Sequence, residues 1–206
     1  MSDYKDYGYT DNLRPIHFDY LEPGLITMLY AAQNKTILDI GCGNGYFVNA
    51  LIANGYKAYG IDASDKGIEQ ARKTNPDAFF VMDVSSNELP PEIRSIKFDI
   101  VISTEVIEHL YDPAAFILFC RSILNPGGEI IISTPYHGYL KNLMLSLFNK
   151  WDEHITPLWL GGHIKFWSRK TLSKILNDNG FSVKEFKGCG RIPYLWMSML
   201  IKAEAK

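Results

Sequence analysis

The chain has 206 residues and a formal net charge of −2, and 47% of its residues are hydrophobic against 21% charged. This length is enough for one domain that buries roughly 70% of the surface of its unfolded chain, without support from a metal or a disulfide. The charge does not favour a nucleic-acid partner, and the longest uncharged apolar run (192–201) has about half the length of a membrane-spanning helix, which excludes a spanning protein.

The N-terminal residues and the cysteines indicate the cellular compartment of the protein. The first 12 residues are acidic and aromatic and lack the basic and apolar segments of a signal peptide. Cys42, Cys120 and Cys189 form no Cys-x-x-Cys pair, which is typical of reduced thiols in a cytoplasmic protein. We expect residues 1–34 to form an N-terminal segment with a helix over 18–33 that acts as a lid, and residues 35–206 to form the main domain.

From residue 36 the sequence alternates short apolar runs with segments of helical spacing. Strands are predicted at 36–40, 57–62, 78–83, 98–103, 129–134, 181–188 and 195–205, and helices at 46–55, 64–75, 112–124 and 168–180. Strands that alternate with helices form a parallel sheet covered on both faces, so the predicted fold is α/β and doubly wound. The segment 136–166 lies outside this alternation and is predicted to be a substrate lid.

A glycine-rich loop, DIGCGNGYF, joins the first predicted strand to the helix that follows it. Gly41, Gly43 and Gly45 allow the backbone to approach a ligand closely, and the helix N-terminus behind them offers N–H donors. A tight strand-to-helix turn would need the same glycines, so the loop alone leaves both readings open. Its spacing differs from the Gly-x-Gly-x-x-Gly of dinucleotide-binding proteins, which argues against NAD.

Acidic residues stand at the ends of the next two predicted strands. Asp62 follows the glycine loop at the distance from which a carboxylate can accept hydrogen bonds from both ribose hydroxyls of a nucleoside. Asp83 is placed to accept a hydrogen bond from an exocyclic adenine amine. Each acid alone could be a polar strand end or a helix cap, but together with the loop they indicate a nucleoside-binding edge.

The segments ILDIGCGNGYF, MDV, FDIVISTEVIEHL and LNPGGEIIISTP, with Asp62, resemble in order the motifs of class I S-adenosylmethionine-dependent methyltransferases. The pattern is closest to the ubiquinone-biosynthesis O-methyltransferases. The resemblance implies S-adenosylmethionine as cofactor and a Rossmann-like, mostly parallel sheet of seven strands whose last strand is antiparallel. It also implies a cofactor site at the loop and the strand ends: Asp39, Gly41, Cys42, Gly43, Gly45, Asp62, Ala63, Asp83, Val84, Thr104 and Glu105.

Three ionisable side chains, Glu105, Glu108 and His109, follow the fourth predicted strand. If TEVIEHL turns into a helix, the three stand at i, i+3 and i+4 and share one face. His109 and Glu105 would then be candidates for the catalytic groups that deprotonate a hydroxyl acceptor. The alternative is that Glu105 shapes the cofactor pocket, Glu108 is solvated and His109 packs as an ordinary hydrogen-bonded side chain.

A similar Glu-x-x-Glu-His occurs in two groups that the chain resembles, the ubiquinone-biosynthesis O-methyltransferases and the small-RNA 3′-end 2′-O-methyltransferases. In the second group the metal ligands end with a histidine in a segment similar to GGHIKFWS. The resemblance therefore implies that Glu105, Glu108, His109 and His163 hold a divalent cation such as Mg²⁺. His137 and His154 are rival ligands.

The sequence leaves more than one class of molecule as the methyl acceptor. Residues 133–154 resemble the lid region of the ubiquinone-type enzymes. Within them, an apolar face predicts peripheral membrane contact through 139–149, with packing on the protein's own core as the alternative: Leu140, Leu143, Met144, Leu147 and Phe148. A basic cluster suggests RNA but is also typical of a solvated helix face: Lys165, Arg169, Lys170 and Lys174. We expect O-methylation of a small or lipid-like hydroxylated molecule, such as a phenol or quinone precursor. The alternatives are a metal-dependent RNA 2′-O-methyltransferase and a non-catalytic cofactor-binding scaffold.

Overall fold

The computed structural model describes residues 8–30 and 34–206. Its helices are α1 (Phe18–Leu29), α2 (Tyr46–Ala53), α3 (Asp65–Arg72), α4 (Pro113–Ile123), α5 (Tyr139–Leu147), α6 (Trp151–Ile155) and α7 (Arg169–Asp178). Its strands are β1 (Thr36–Ile40), β2 (Lys57–Asp62), β3 (Phe79–Val81), β4 (Phe98–Thr104), β5 (Leu124–Pro135), β6 (Phe181–Cys189) and β7 (Ser198–Ala205). The end of the predicted helix 18–33 and the first seven residues of the predicted lid lie outside the described residues.

The seven strands of the described chain form one sheet in the order β3-β2-β1-β4-β5-β7-β6. The pairs along β3-β2-β1-β4-β5 are parallel, and β7 is antiparallel to both β5 and β6. The α/β doubly wound prediction with an antiparallel last strand is confirmed. The strand order reverses between β1 and β4, and ligands of such sheets bind beyond the carboxyl ends of the strands at that point.

Helix starts follow the capping residues in the sequence. The Ser64 side chain accepts a hydrogen bond from the Gly67 N–H at the start of α3, and Asp112 does the same for Ala115 ahead of α4. Ser168 and Thr171 form a capping box at α7. These side chains satisfy N–H groups that have no partner within the helix, which is why the predicted starts agree with the structure.

The core lies on both faces of the sheet. Ile130 and Ile132 belong to the hydrophobic cluster on one face, while Ile131 between them belongs to the cluster on the other. The neighbouring residues Ile37 and Leu38 of β1 likewise belong to clusters on opposite faces. Both faces of these strands are therefore apolar, which explains their near-continuous hydrophobic sequence.

The predicted helix after β4 is wrong. Glu105 has a left-handed backbone (φ 54°), and a single 3-10 turn, Ile107–His109, follows it. The Glu105 N–H is bound to both the carbonyl and the hydroxyl oxygen of Ser133 on β5, so pairing with the sheet holds this residue outside a helix. As a result, Glu105 does not share a helix face with Glu108 and His109.

Candidate functional site

The glycine loop lies between the ends of β2 and β4. The N–H groups of Gly41 and Cys42 both donate to the carbonyl oxygen of Ile61, at 2.8 and 3.1 Å. Gly41 has a positive φ of 81°, and a Cβ on it would lie 2.3 Å from Cγ2 of Val106. Glycine is therefore required here for two reasons, and its absent side chain lets the segment after β4 pack directly on the loop.

Asp62 connects the loop to β2. One carboxylate oxygen accepts the Gly43 N–H at 2.8 Å, and the other accepts the Ser64 N–H at 2.8 Å. Burial raises the pKa of Asp62, and these backbone N–H groups oppose the shift. The Ala63 N–H also acts on this carboxylate. A carboxylate offers about four acceptor positions, so capacity remains for a hydroxyl of a ligand.

Asp39 lies beneath this loop in the middle of the sheet. Its side chain is 1% exposed, and one carboxyl oxygen has no hydrogen-bond partner among the described residues. Burial raises its pKa to about 8, and the charge of Asp62 adds to the rise. Asp39 is therefore mainly protonated at neutral pH. Burial likewise raises the pKa of the Cys42 thiol well above its ordinary value, so this sulfur is not a thiolate.

Asp83 stands at the far end of the same edge. Its Oδ1 accepts hydrogen bonds from the N–H and the hydroxyl of Ser85, at 3.0 and 2.7 Å, and caps a 3-10 turn over Val84–Ser86. The side chain also lines an open cleft of about 470 Å³ together with Met82 and Leu89. The cap foreseen as an alternative is thus present, while contact with adenine stays a prediction.

The N-terminal segment crosses the glycine loop. The Asn44 side chain donates to the carbonyl oxygens of Asp11 and Leu13, at 3.1 and 2.8 Å. The hydroxyl of Tyr9 lies 2.6 Å from the position that a Cβ on Gly43 would take. Sequence reasoning predicted a lid here but missed Tyr9 and Asn44. The one sequence signal was a polar residue inside the glycine loop. Asn44 is buried, and its two hydrogen bonds attach the N-terminal segment to the loop.

Glu105 is held by serines from two other strands. The hydroxyl of Ser133 on β5 donates to one carboxylate oxygen at 2.7 Å, and that of Ser198 on β7 donates to the other at 3.1 Å. Burial raises the pKa of Glu105, and the two hydroxyls oppose this. Both serines are buried, and Thr104 is buried beside them at the end of β4. Sequence reasoning missed the serines because their partner lies on a different strand.

Glu108, His109 and His163 come together at the same edge. One potential ligand atom from each lies within 4.8 Å of the others. Within the described part of the chain, neither carboxylate oxygen of the fully buried Glu108 nor Nδ1 of His163 has a partner in hydrogen-bonding geometry, although the Thr134 side chain lies close enough to Glu108 to oppose the rise of its pKa. Three of the four predicted metal ligands therefore meet, while Glu105 belongs to the serine network instead.

Backbone contacts and burial set the state of this cluster. The Glu108 carbonyl accepts the N–H groups of Ile164 and Lys165, which fixes the segment that carries His163. Burial and the charge of Glu105 raise the pKa of Glu108 well above its ordinary value. Burial lowers the pKa of His109, and it lowers that of His163 to about 4. Burial thus favours the protonated form of the Glu108 carboxyl group, and both imidazoles are neutral at neutral pH.

The rival histidines form a separate pair beside this cluster. The Nε2 atoms of His137 and His154 are 3.2 Å apart, and Nδ1 of His137 lies 3.0 Å from Oδ1 of Asn142. The ring of His154 is 6.0 Å from that of His163. Four of the five histidines of the chain therefore stand in a row at the edge of the predicted lid.

Helix α5 and the residue after it expose four apolar side chains, while Met144 is half-buried. Leu147 and Phe148 are 68% and 65% exposed, and Leu140 and Leu143 are also exposed. Lys141, by contrast, is buried and donates to the carbonyl oxygen of Met197 at 2.9 Å. The alternative that this apolar face packs on the protein's own core is wrong for these four residues. No helix in residues 8–30 and 34–206 is both long and apolar enough to cross a bilayer.

Two members of the basic cluster have protein partners. The Arg169 guanidinium lies 4.5 Å from the centre of the Phe186 ring, and Lys174 forms an ion pair with Asp178 at 2.7 Å. These contacts are those of a solvated helix face. They give no specific support to an RNA-binding surface.

Comparison with known sequences places the site in a family context. A family model described as a methyltransferase domain matches residues 17–185. The human mitochondrial ubiquinone biosynthesis O-methyltransferase is 34% identical over 157 residues, which cover 74% of this chain and 42% of that protein. The ubiquinone biosynthesis O-methyltransferase of Aromatoleum aromaticum is 27% identical over 188 residues, which cover 89% of this chain and 80% of the relative. The chain thus spans less than half of the human relative.

Solved structures share the fold. The magnesium protoporphyrin IX methyltransferase of Synechocystis with bound SAH superposes with a TM-score of 0.68 at 21% identity, over 89% of this chain and 81% of that one. An S-adenosylmethionine-dependent methyltransferase from Mesorhizobium loti superposes with a TM-score of 0.69 at 21% identity, over 89% of this chain and 97% of that one. At this identity the likeness shows the shared architecture alone.

Proposed function

This chain belongs to the methyltransferase-domain family and is an S-adenosylmethionine-dependent methyltransferase, and from this premise we propose that it methylates a hydroxyl oxygen of a small or lipid-like molecule, a phenol or quinone precursor. The observation that carries the proposal is the convergence of Glu108, His109 and His163, the first two of which lie on the segment that packs on the glycine loop through Val106. The names of the ubiquinone biosynthesis relatives support an oxygen acceptor.

The cofactor would lie along the carboxyl edge of the strands. S-adenosylmethionine supplies a methyl group on a positively charged sulfur. We assign the methionine part to the loop Gly41–Gly45 and the ribose to Asp62, whose remaining acceptor capacity suits a ribose hydroxyl. Asp83 and Val84 would take the adenine, with Ala63 and Thr104 lining the pocket.

The chain's own residues would remove the acceptor's proton. Nδ1 of His109 lies 3.3 Å from the Gly162 carbonyl oxygen, and because an oxygen acceptor needs an N–H, Nε2 carries the lone pair. When no ion occupies the cluster, a neutral imidazole in this tautomer can accept a proton from a hydroxyl, and a general base contributes about 10² to 10⁴-fold. Glu105 would position the acceptor, with its carboxylate held in one orientation by Ser133 and Ser198.

The same cluster fits a divalent cation. Buried polar atoms without partners on Glu108 and His163 are what a missing ligand would leave, and one carboxylate with two imidazoles suits Mn²⁺ or a related ion better than Mg²⁺. Bound there, such an ion would take the Nε2 lone pair of His109, so it would replace this histidine as the means of deprotonation by holding the acceptor hydroxyl and lowering its pKa. Because burial favours the protonated form of Glu108 and a ligand carboxylate must be deprotonated, affinity should increase with pH.

The test is a labelled-cofactor assay on catechols and polyprenylated phenols after dialysis against a chelator. We expect transfer to hydroxyl acceptors that returns on addition of Mn²⁺, and a loss of Mn²⁺ dependence in Glu108→Gln. The exposed Glu153→Gln is the matched control. Transfer confined to amines would refute the O-methyltransferase assignment, and full turnover in chelator would refute the metal.

The exposed apolar face of α5 supports peripheral membrane contact, which would give access to a lipid-like acceptor. In flotation with phosphatidylethanolamine–phosphatidylglycerol liposomes, the protein should rise with the vesicles. The double variant Leu143→Lys/Leu147→Lys should remain at the bottom. Leu158→Lys, at an exposed leucine outside α5, is the control. Equal flotation of the α5 variant would remove this surface from the proposal.

A further inference from the structure

We propose that His137 and His154 form a second metal-binding site, for a borderline transition-metal cation such as Co²⁺ or Zn²⁺, which connects α6 to the segment after β5. The site shares no residue with the Glu108, His109 and His163 cluster. It therefore stands independently of the proposed function.

The two ring nitrogens already have the separation of ligands on one ion. Nε2 of His137 and Nε2 of His154 are 3.2 Å apart. Two imidazole nitrogens at about 2.0–2.1 Å from a tetrahedral cation lie roughly 3.3–3.4 Å from each other. Both rings can thus bind one ion after a shift of a few tenths of an ångström.

The surroundings of His137 fix the tautomer that a metal needs. The carbonyl oxygen of Asn142 lies 3.0 Å from Nδ1 and accepts its N–H, which leaves the lone pair on Nε2 directed at His154. Metal-binding histidines generally donate their other N–H to an oxygen in this way. The His137 ring also lies parallel to the indole of Trp151, with 6.1 Å between the ring centres.

Backbone contacts hold the two histidines on different elements. The His137 N–H donates to the Trp167 carbonyl oxygen at 2.9 Å, ahead of α7. His154 lies within α6, where its N–H donates to Lys150. An ion shared by the rings would therefore connect α6 to the end of β5 and hold the predicted lid in place.

Ligand type separates this site from the other cluster. A pair of imidazoles without a carboxylate binds Co²⁺, Ni²⁺ or Zn²⁺ and not Mg²⁺, which prefers oxygen ligands. Water would complete the coordination. The charge of Lys141 acts on both rings and weakens binding of a cation, so we expect an affinity in the micromolar range or weaker.

The experiment is a Co²⁺ titration of the full chain without a histidine tag, followed by visible absorption in saturating Mg²⁺. We expect His154→Asn and His137→Asn each to bind one equivalent fewer than the wild type. The double variant Glu108→Gln/His163→Asn should keep the equivalent that the histidine pair holds. This comparison remains decisive even if the Glu108 cluster binds no metal. Equal stoichiometry in the wild type and both histidine-pair variants would overturn the inference.

Tryptophan fluorescence gives a second readout that is local to the site. Because Co²⁺ is a quencher and Trp151 lies against His137, binding should reduce the emission of the wild type. This quenching of tryptophan emission should be absent in His154→Asn. It should be much smaller in Trp151→Phe, which retains both histidines. Unchanged quenching in a folded His154→Asn variant would place the ion elsewhere and reject the site.

Discussion

Replacing Asp39 by asparagine tests the claim that this carboxyl group is buried in its protonated form. The folded chain holds the pKa of Asp39 at about 8, against an ordinary value of 3.8. The native state thus keeps a proton that the unfolded chain releases. This contribution to stability is fully present below pH 3.8 and is lost as pH rises towards 8. Asparagine has nearly the same shape and no such proton.

The size of the effect follows from the shift. Between pH 5 and pH 7 the free energy of unfolding of the wild type should fall by about 1.4 kcal/mol per pH unit relative to that of Asp39→Asn. Over the interval this amounts to about 3 kcal/mol. The absolute difference at one pH also contains the cost of burying the asparagine amide. The change with pH cancels that cost, so it is the quantity to measure.

The assay is urea unfolding of both proteins at pH 5, 6 and 7, with the free energy of unfolding taken from the linear extrapolation. Asp178→Asn makes the same chemical change at an exposed position on α7 and serves as a control. The reasoning is refuted if the difference between the wild type and Asp39→Asn is the same at pH 5 and pH 7. An ionised Asp39, stabilised by an unseen partner, would give that result.

Three further substitutions test the loop and the proposed chemistry. Gly45→Ala should destabilise the fold by about 2–4 kcal/mol in urea unfolding, because the φ of Gly45 is 74° and the new Cβ would lie 2.3 Å from Cβ of Ala71. The control Gly55→Ala, at a φ of 84° with open space around the new Cβ, should cost about 1 kcal/mol. Asp62→Asn should weaken S-adenosylmethionine binding about 10 to 100-fold in calorimetry, because hydrogen bonds to a charged group are lost; unchanged affinity would remove Asp62 from the cofactor site. His109→Asn should lower kcat about 10² to 10⁴-fold with an unaltered cofactor Kd, and a kcat within a few-fold of the wild type would rule out His109 as the base.

Much of the fold could be read from local sequence because its signals are local. The Ser64, Asp112 and Ser168 caps start their helices where predicted. The run FDIVIS forms β4, whose apolar side chains alternate between the two core clusters. The helix predicted for TEVIEHL failed because Glu105 is bound by Ser133, which lies 28 positions further along the chain. A helical spacing of charges carries no information about such a partner.

The sequence by itself determined the alternation of strands and helices, the position of the glycine loop at a strand end, and which residues are able to carry the chemistry. These properties depend on hydrophobic periodicity, backbone conformation and side-chain type, which neighbouring residues encode. The tertiary structure decided how those residues are combined. It placed Glu105 with two serines, joined Glu108 and His109 to His163 across the lid segment, and paired His137 with His154. Such groupings depend on which strands and loops pack together, and long-range packing is set by the whole core.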